Sequence, residues 1–199
     1  MDTTDRQLHP LGLEPGWIYE AVVCTRVEGA PHAAPAGVRT TDGDTLWLDL
    51  FDTSRTLAAI ATTGSFVVDF PRDATALFAA LWTPRDLRFE PARRVASPRL
   101  ADAVASVELE VGEMLPGDGL THVRGRSVLV TVEPGLRLLN RAEALLLESL
   151  ITASRAHLYG RGPTLQQLRE HRRVVEKVAP GSAYATAMAG LLQEFEADS

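Results

Sequence analysis

The sequence is poor in cysteine and has no dense run of basic residues, and each shortage excludes a class of protein. Its one cysteine, Cys24, cannot form a disulfide within the chain or supply a cysteine metal cluster. Cys24 lies in an apolar strand pattern, so we expect a buried small hydrophobic side chain. The formal net charge is -6, and no dense basic run occurs. These features argue against a general nucleic-acid-binding or anionic-membrane surface.

Long hydrophobic runs are also missing. No apolar run approaches the roughly 18 residues that a membrane span needs, and the first ten residues, MDTTDRQLHP, contain no apolar signal region. The preference for arginine and alanine is typical of a GC-rich genome. We therefore expect a soluble, cytoplasmic, bacterial protein.

Several familiar catalytic and cofactor motifs are absent. The stretch GDGLTH places His122 where a G-x-G-x-x-G motif needs its third glycine, and no G-x-x-x-x-G-K-[ST] occurs. Neither G-x-S-x-G nor H-E-x-x-H is present, and the five histidines have no metal-ligand spacing. The sequence therefore supports no Rossmann or P-loop nucleotide site, no serine hydrolase and no metal site.

The part of the chain before Pro134 is predicted to alternate short strands with small helices. Strands are predicted at 17–27, 38–50, 65–70, 104–115 and 122–132, and helices at 53–64 and 73–82, with a hairpin turn at Asp42-Gly43. This layout is typical of an antiparallel β domain that closes into a barrel. Glu108 and Glu110 share one strand face, which we expect to be a solvated edge.

Beyond Pro134 the pattern becomes entirely helical. Asn140 is predicted to cap a long helix to residue 159, Thr164 and Gln167 have capping-box spacing for a second helix to about residue 178, and Ser182 begins a third. We therefore predict an α+β protein with a barrel domain at 14–135 and a C-terminal helical domain at 136–199. So small a helical segment is expected to pack on the barrel or on a partner subunit.

The segment PHAAPAGVR, residues 31–39, carries the first indication of a ligand. Ala33, Ala34, Ala36 and Gly37 stand where β-branched residues are usually preferred. Small residues leave room for a flat ligand to approach the backbone of a strand. The alternative is that these alanines simply pack beneath a bulky neighbour such as Trp47.

The segment FDTSRT, about fifteen residues later, carries a second indication of a ligand. It supplies the hydroxyls of Thr53, Ser54 and Thr56, the guanidinium of Arg55 and the free N–H groups of a helix start. Together these groups resemble an anion site for a phosphate, which Arg39 would reach from a neighbouring strand as a bidentate donor. From the residues alone, helix capping and a surface position for Arg39 explain the pattern equally well.

The order of these segments resembles the flavin-binding split-barrel proteins of the DUF447 family. WIYEAVVCTR, PHAAPAGVR and LWLDLFDTSRTLAAI follow one another as in the first half of that family, which has an H-x-x-P-x-G-[VI]-R segment and a [ST]-x-x-T helix start. LLNRAEALLLESLITASRAHLY is similar to its C-terminal helical domain. The resemblance spans residues 16 to 159 and is weaker between 83 and 106.

The resemblance implies a flavin reductase-like split β-barrel that binds FMN non-covalently, usually at a homodimer interface. The phosphate site would comprise Arg39, Thr53, Ser54 and Thr56, with Arg55 as a further ligand. The flavin ring would lie along the backbone and small side chains of His32, Ala33, Ala34, Pro35, Ala36, Gly37 and Val38. Arg141, Arg155 and His157, in the first C-terminal helix, would either reach the cofactor, pair across subunits or lie exposed.

One residue departs from the family pattern. Asp69 stands where the family tends to have asparagine, so a carboxylate would replace an amide donor near the flavin. If Asp69 faces the ring, its charge disfavours a reduced anionic flavin and argues against strong reductase activity.

Three functions agree with these features. The first is an FMN-dependent oxidoreductase, because no acid, base or nucleophile stands out and a flavin would supply the redox chemistry. The second is a flavin or deazaflavin (F420) binding module without turnover. The third is a cofactor-free interaction protein whose helical tail is the working surface.

Overall fold

The computed structural model describes residues 7–197, which form two compact units. The first unit is built on Tyr19–Leu139, and the second on residues from Asn140 onward together with Gly16–Ile18. Each unit has its own cluster of buried apolar side chains. None of the helices in the described residues is long and apolar enough to cross a membrane.

Six antiparallel strands of the first unit close into a barrel in the order β1-β2-β3-β8-β7-β4. A separate two-stranded sheet is formed by β5 and β6. The strands are β1 (Tyr19–Val27), β2 (Ala30–Arg39), β3 (Thr45–Phe51), β4 (Ser65–Phe70), β5 (Phe89–Pro91), β6 (Pro98–Leu100), β7 (Ala105–Pro116) and β8 (Leu120–Val132). The predicted α+β class with an antiparallel barrel is confirmed.

Two helices accompany the barrel strands. Helix α1 (Arg55–Thr63) begins at Ser54, whose hydroxyl accepts a hydrogen bond from the N–H of Leu57. It ends at Gly64, where φ is 66° and a left-handed cap closes the last turn. Helix α2 (Thr75–Trp82) follows β4 directly.

β2 is longer than the sequence pattern predicts, because it begins at Ala30 and not at Val38. It pairs with β1 along its whole length, although Pro31 and Pro35 have no N–H to donate. Proline is tolerated in a strand whose other side is unpaired. β2 pairs with β3 only at Val38 and Arg39, so most of its second edge satisfies that condition.

Glu108 overturns the expectation of a solvated edge. Its side chain is 3% exposed, and its carboxylate accepts hydrogen bonds from the backbone N–H groups of Arg93, Arg94 and Val95 at 2.6–3.2 Å. Glu110, two residues along β7, is exposed as expected. The loop before β6 folds over one of the two carboxylates, a long-range contact that the sequence does not reveal.

As far as residue 197, where the description ends, the second unit contains four helices: α3 (Arg141–Ser154), α4 (Ala156–Tyr159), α5 (Arg161–Val178) and α6 (Ala183–Ala197). Asn140 caps α3 as predicted, with its side-chain oxygen accepting the N–H of Ala142 at 2.8 Å. The prediction of a single helix to residue 159 was wrong, because α3 ends with its cap at Arg155 and α4 ends with its cap at Gly160, where φ is 86°.

The predicted start of the second C-terminal helix was also wrong. α5 begins at Arg161, and Thr164 is a buried residue within it. Pro163 lies in the first turn, where a helix needs no N–H donor. The proline therefore predicts the start of this helix better than the capping-box spacing does.

Candidate functional site

β2 and β3 are paired over a short stretch only, and a gap separates them beyond it. The two strands are hydrogen-bonded at Val38–Leu48 and Arg39–Trp47, and no further pair joins them in the part of the chain that the structure describes. β2 therefore continues toward His32 with one edge unpaired, while β3 continues to Phe51 paired only with β8. Unpaired strand edges present backbone N–H and C=O groups that a ligand can bind.

The small residues of β2 differ in whether their side chains are buried or partly exposed. Ala33 is buried in a cluster with Val22, Cys24 and Ala80, so its side chain packs into the protein. Val38 is fully buried. The four residues between them are partly exposed: Ala34, Pro35, Ala36 and Gly37. These four residues supply the accessible part of the predicted shelf.

The start of α1 lies at the end of the gap that is nearest to His32. Ser54 is partly exposed and Thr56 is buried, while Thr53 and Arg55 are exposed. The first turn of the helix contains no acidic residue. Arg55 forms no ion pair within the described residues, so its guanidinium is available to an anion. This donor set is of the kind that binds a phosphate at a helix N-terminus.

His32 links β2 to this helix start. Its Nε2 lies 3.0 Å from the Thr56 hydroxyl oxygen. Burial and the nearby Arg55 guanidinium hold the pKa of His32 below its usual value, which favours the neutral ring. The structure therefore places His32 next to Thr56, at the end of the gap where α1 begins.

The structure does not bring Arg39 to the other predicted phosphate ligands. Seven residues, or about 23 Å of extended strand, separate Arg39 from His32, which is the β2 residue that contacts α1. The Arg39 guanidinium donates two hydrogen bonds to the Asp49 carboxylate at 2.7 and 3.0 Å. Arg39 therefore belongs to the closed end of the gap.

Asp69 has no exposed surface and faces the protein interior. Its carboxylate accepts hydrogen bonds from the Ser106 hydroxyl at 2.5 Å and the Leu100 N–H at 2.8 Å. Burial raises its pKa to about 6, although these hydrogen bonds oppose the rise. The expectation of weak reductase activity required Asp69 to face the flavin ring. A carboxylate buried in this way gives no support to that expectation.

A charged cluster at the closed end of the gap was missed by sequence reasoning. His122 Nδ1 lies 2.7 Å from Asp49 Oδ1, and the same carboxylate holds Arg39. Asp49 and His122 are neighbours across β3 and β8, but 73 residues separate them in the chain. Only the barrel register reveals this contact.

Arg155 and His157 lie in the helical unit, outside α3. Because α3 ends at Ser154, Arg155 is not on the same continuous helix as Arg141. His157 is exposed in the short helix α4.

The sequence matches two models of one family. The N-terminal domain of the protein of unknown function DUF447 matches residues 19–133, and a second DUF447 model matches residues 140–189. The two matches cover the barrel and most of the helical unit.

Solved structures with a similar fold include several flavoproteins. An FMN-bound protein from Methanosarcina mazei, also of DUF447, is 22% identical, with a TM-score of 0.56 over 94% of this chain and 99% of that one. An NADH:FAD oxidoreductase from Streptomyces globisporus is 15% identical, with a TM-score of 0.54 over 61% and 74%. An FMN-binding protein from Thermus thermophilus is 21% identical, with a TM-score of 0.53 over 63% and 75%. At these identities the similarity establishes the flavin reductase-like split-barrel fold.

Proposed function

The chain belongs to the DUF447 family, and on this premise we propose that it binds FMN in the gap between β2 and β3. The observation that carries the proposal is the divergence of these strands beyond Val38 and Leu48. It leaves an unpaired strand edge that leads to the start of α1, whose first turn contains no acidic residue. The M. mazei and T. thermophilus proteins of the same fold are named for bound FMN, which supports this cofactor.

In this proposal the phosphate lies at the start of α1. The N–H groups of Arg55 and Thr56, the hydroxyls of Thr53, Ser54 and Thr56 and the Arg55 guanidinium are its candidate ligands. All of these groups donate hydrogen bonds or carry positive charge, so the donor set fits a phosphate monoester. Arg39 is not part of this set, because it lies at the other end of β2 and is paired with Asp49.

The flavin ring would lie along β2, on Ala34, Pro35, Ala36 and Gly37. The distance from His32 to Gly37 is five residues, or about 17 Å of extended strand, a span comparable to an extended FMN molecule. Backbone groups of the unpaired edge would bind the polar edge of the ring, and the small side chains would allow the ring to approach closely. Asp69 is not used, because it is buried.

We further propose that the protein is a flavin-dependent oxidoreductase. FMN, when bound, supplies hydride and electron exchange, so the chain needs to contribute binding and orientation and not a nucleophile. The names of several structural neighbours support redox function, including the NADH:FAD oxidoreductase. A flavin or deazaflavin binding module without turnover is the alternative that the same geometry supports, and a cofactor-free protein is the third.

A homodimer with the cofactor at its interface completes the proposal. Phe51, at the end of β3, is 70% exposed, and Leu115 on β7 is 40% exposed. Large exposed apolar side chains beside a ligand site are typical of a surface that a second subunit covers. Sedimentation of the full chain with and without FMN tests this part of the proposal.

Cofactor identification tests the central proposal. The absorption spectrum of the purified chain is recorded, any chromophore is released and weighed, and the chain is titrated with FMN, riboflavin and deazaflavin. We expect FMN to bind most tightly, because only a ligand with phosphate uses the start of α1. A protein that is colourless and takes up none of the three would refute flavin binding. Bound flavin that NADH and NADPH both fail to reduce would favour the binding module.

A further inference from the structure

Helix α3 has one face that packs inside the helical unit. Ala142, Ser149 and Thr152 are buried on this face. Ser149 Oγ lies 2.9 Å from Nδ1 of His171 on α5. Further apolar side chains of α3 pack with residues of α5 and α6 in one cluster: Leu145 and Leu146 with Val175, Val178 and Met188. The inner face of α3 therefore already has its partners.

The opposite face of α3 is also apolar, although it is exposed. Leu147 is 60% exposed and Leu150 is 49% exposed, while Ala144 is exposed and Ile151 is partly exposed. At 3.6 residues per turn these four residues lie opposite the inner face, and we call them the outer face of α3. A surface helix usually has polar residues on the side away from its core. Exposed apolar surface of this kind is typical of an interaction site.

Opposite charges lie at the two ends of the outer face. Glu143 is in the first turn of α3, and Arg155 directly follows its last residue. In a second copy turned end for end, with its Leu150 opposite Leu147, Glu143 lies opposite the partner's Ser154 and next to the partner's Arg155. Twofold symmetry repeats this contact at the other end. A parallel copy would instead bring like charges together, which is unfavourable.

We propose that the outer face of α3 pairs with the same face of a second copy of this chain, with the two helices antiparallel. The leucines supply the apolar contact, and their spacing with Glu143 and Ser154 is the four-three-four spacing of a coiled-coil seam. Glu143 and Arg155 determine the orientation of the pair. Antiparallel packing also brings helix ends of opposite partial charge together.

The inference does not depend on the proposed flavin site or on the barrel contact. The outer face belongs to the helical unit, whereas the gap, Phe51 and Leu115 belong to the barrel unit. One helix face is smaller than the roughly 800 Å² that each partner buries in a standard interface. We therefore expect the pairing to depend on protein concentration. FMN titration of each sample separates the two proposals, since loss of α3 pairing should leave FMN binding intact.

Distances between spin labels on the full chain test the orientation of the helices. Glu148→Cys and Ser154→Cys supply the label sites, and Cys24 is buried and is expected to stay unlabelled. Antiparallel copies bring the middles of their helices together and separate the ends. We expect a short distance between copies at residue 148 and a longer one at residue 154, where about 16 Å of helix axis separates the two sites. A parallel pair would give similar distances at both sites.

Exchange of the end charges tests the partner, with the fraction of labels at the short distance in Glu148→Cys as the readout. Glu143→Arg and Arg155→Glu should each weaken pairing roughly tenfold, because symmetry places the altered charge twice in each dimer. An equal mixture of the two variants should pair again, because each presents the charge that the other needs. Leu147→Glu should abolish pairing. Gln166→Glu adds the same charge to an exposed site on α5 and should behave as the wild type.

Several outcomes would overturn the proposal. Absence of a distance between copies at residue 148 would mean that the outer face is not covered by a second copy. Similar distances at residues 148 and 154 would exclude the antiparallel arrangement. A short distance that survives Leu147→Glu would mean that the copies meet through another surface, and a mixture that pairs no better than either charge variant would remove the role of the end charges.

Discussion

His32 Nε2 and the hydroxyl oxygen of Thr56 lie 3.0 Å apart, so β2 and the start of α1 are joined at one end of the gap. A hydroxyl has one hydrogen to donate. If Thr56 donates it to a bound phosphate, His32 has to donate its own Nε2–H to the Thr56 oxygen. Phosphate binding at α1 therefore selects one tautomer of His32, and the neighbouring imidazole becomes part of the phosphate site.

We predict that His32→Leu weakens FMN binding, because Leu cannot supply the donor that frees the Thr56 hydroxyl for the phosphate. The expected loss is roughly fivefold to tenfold, whereas His32→Gln, which keeps a donor amide, retains most of the affinity. Quenching of flavin fluorescence measures both. Riboflavin lacks the phosphate and serves as the internal control, so an equal loss of riboflavin affinity would contradict this role for His32.

The two arginines of the predicted phosphate site are expected to behave differently. Arg55 stands at the start of α1 without an ion pair in the described residues, so Arg55→Gln should lower the preference for FMN over riboflavin by roughly tenfold. Arg39 is held by Asp49 at the other end of β2, so Arg39→Gln should leave that preference unchanged. The ratio of the two dissociation constants is the measurement. A loss of preference in Arg39→Gln alone would restore the grouping that the sequence favoured.

The sequence revealed local features well and long-range contacts poorly. The helix predicted at 53–64 is found with its cap at Ser54 and its left-handed end at Gly64, and Asn140 caps α3 as predicted, because these features depend on neighbouring residues. The pairing of Arg39 with Asp49 and of Asp49 with His122 depends on strand register, which a single sequence does not contain.

The same distinction explains why the burial of two carboxylates was not predicted. Glu108 and Asp69 occupy strand positions that give no sign of the loop or strand that covers them. The small residues and prolines of β2 did indicate an unusual strand, and the structure supplies the reason, which is an edge without a partner.

Substitution of Glu108 tests whether the hydrogen bonds between its carboxylate and the loop before β6 stabilise the protein. We predict that Glu108→Gln lowers the free energy of unfolding by about 2 kcal/mol, because an amide replaces a buried carboxylate that accepts three backbone N–H groups. Urea unfolding measures the change. Glu110→Gln on the same strand is the matched control. It breaks only an exposed ion pair to Arg126, so its effect should stay within about 0.5 kcal/mol. Equal effects in the two variants would contradict the structural role of Glu108.

The raised pKa of Asp69 predicts how the stability of the folded protein depends on pH. Its pKa is raised by burial from 3.8 to about 6 in the folded protein, so between these values the folded state holds more protons than the unfolded state. Stability therefore falls as the pH rises through this window, and the ionised carboxylate costs about 3 kcal/mol above it. Protonation below the unfolded pKa removes that cost.

Asp69→Asn removes the ionisation while keeping the hydrogen bonds to Leu100 and Ser106, because an amide oxygen can accept the Leu100 N–H and an amide N–H can donate to the Ser106 hydroxyl. We predict that this variant is more stable than the wild type at about pH 8 by up to about 3 kcal/mol, and that the advantage disappears at about pH 4. Urea unfolding at both pH values measures it. Ser106→Ala, which removes a partner of the carboxylate and leaves its ionisation in place, should lower stability most at the higher pH. An advantage of Asp69→Asn that is the same at both pH values would mean that Asp69 gains no proton between them, and that the variant acts through packing alone.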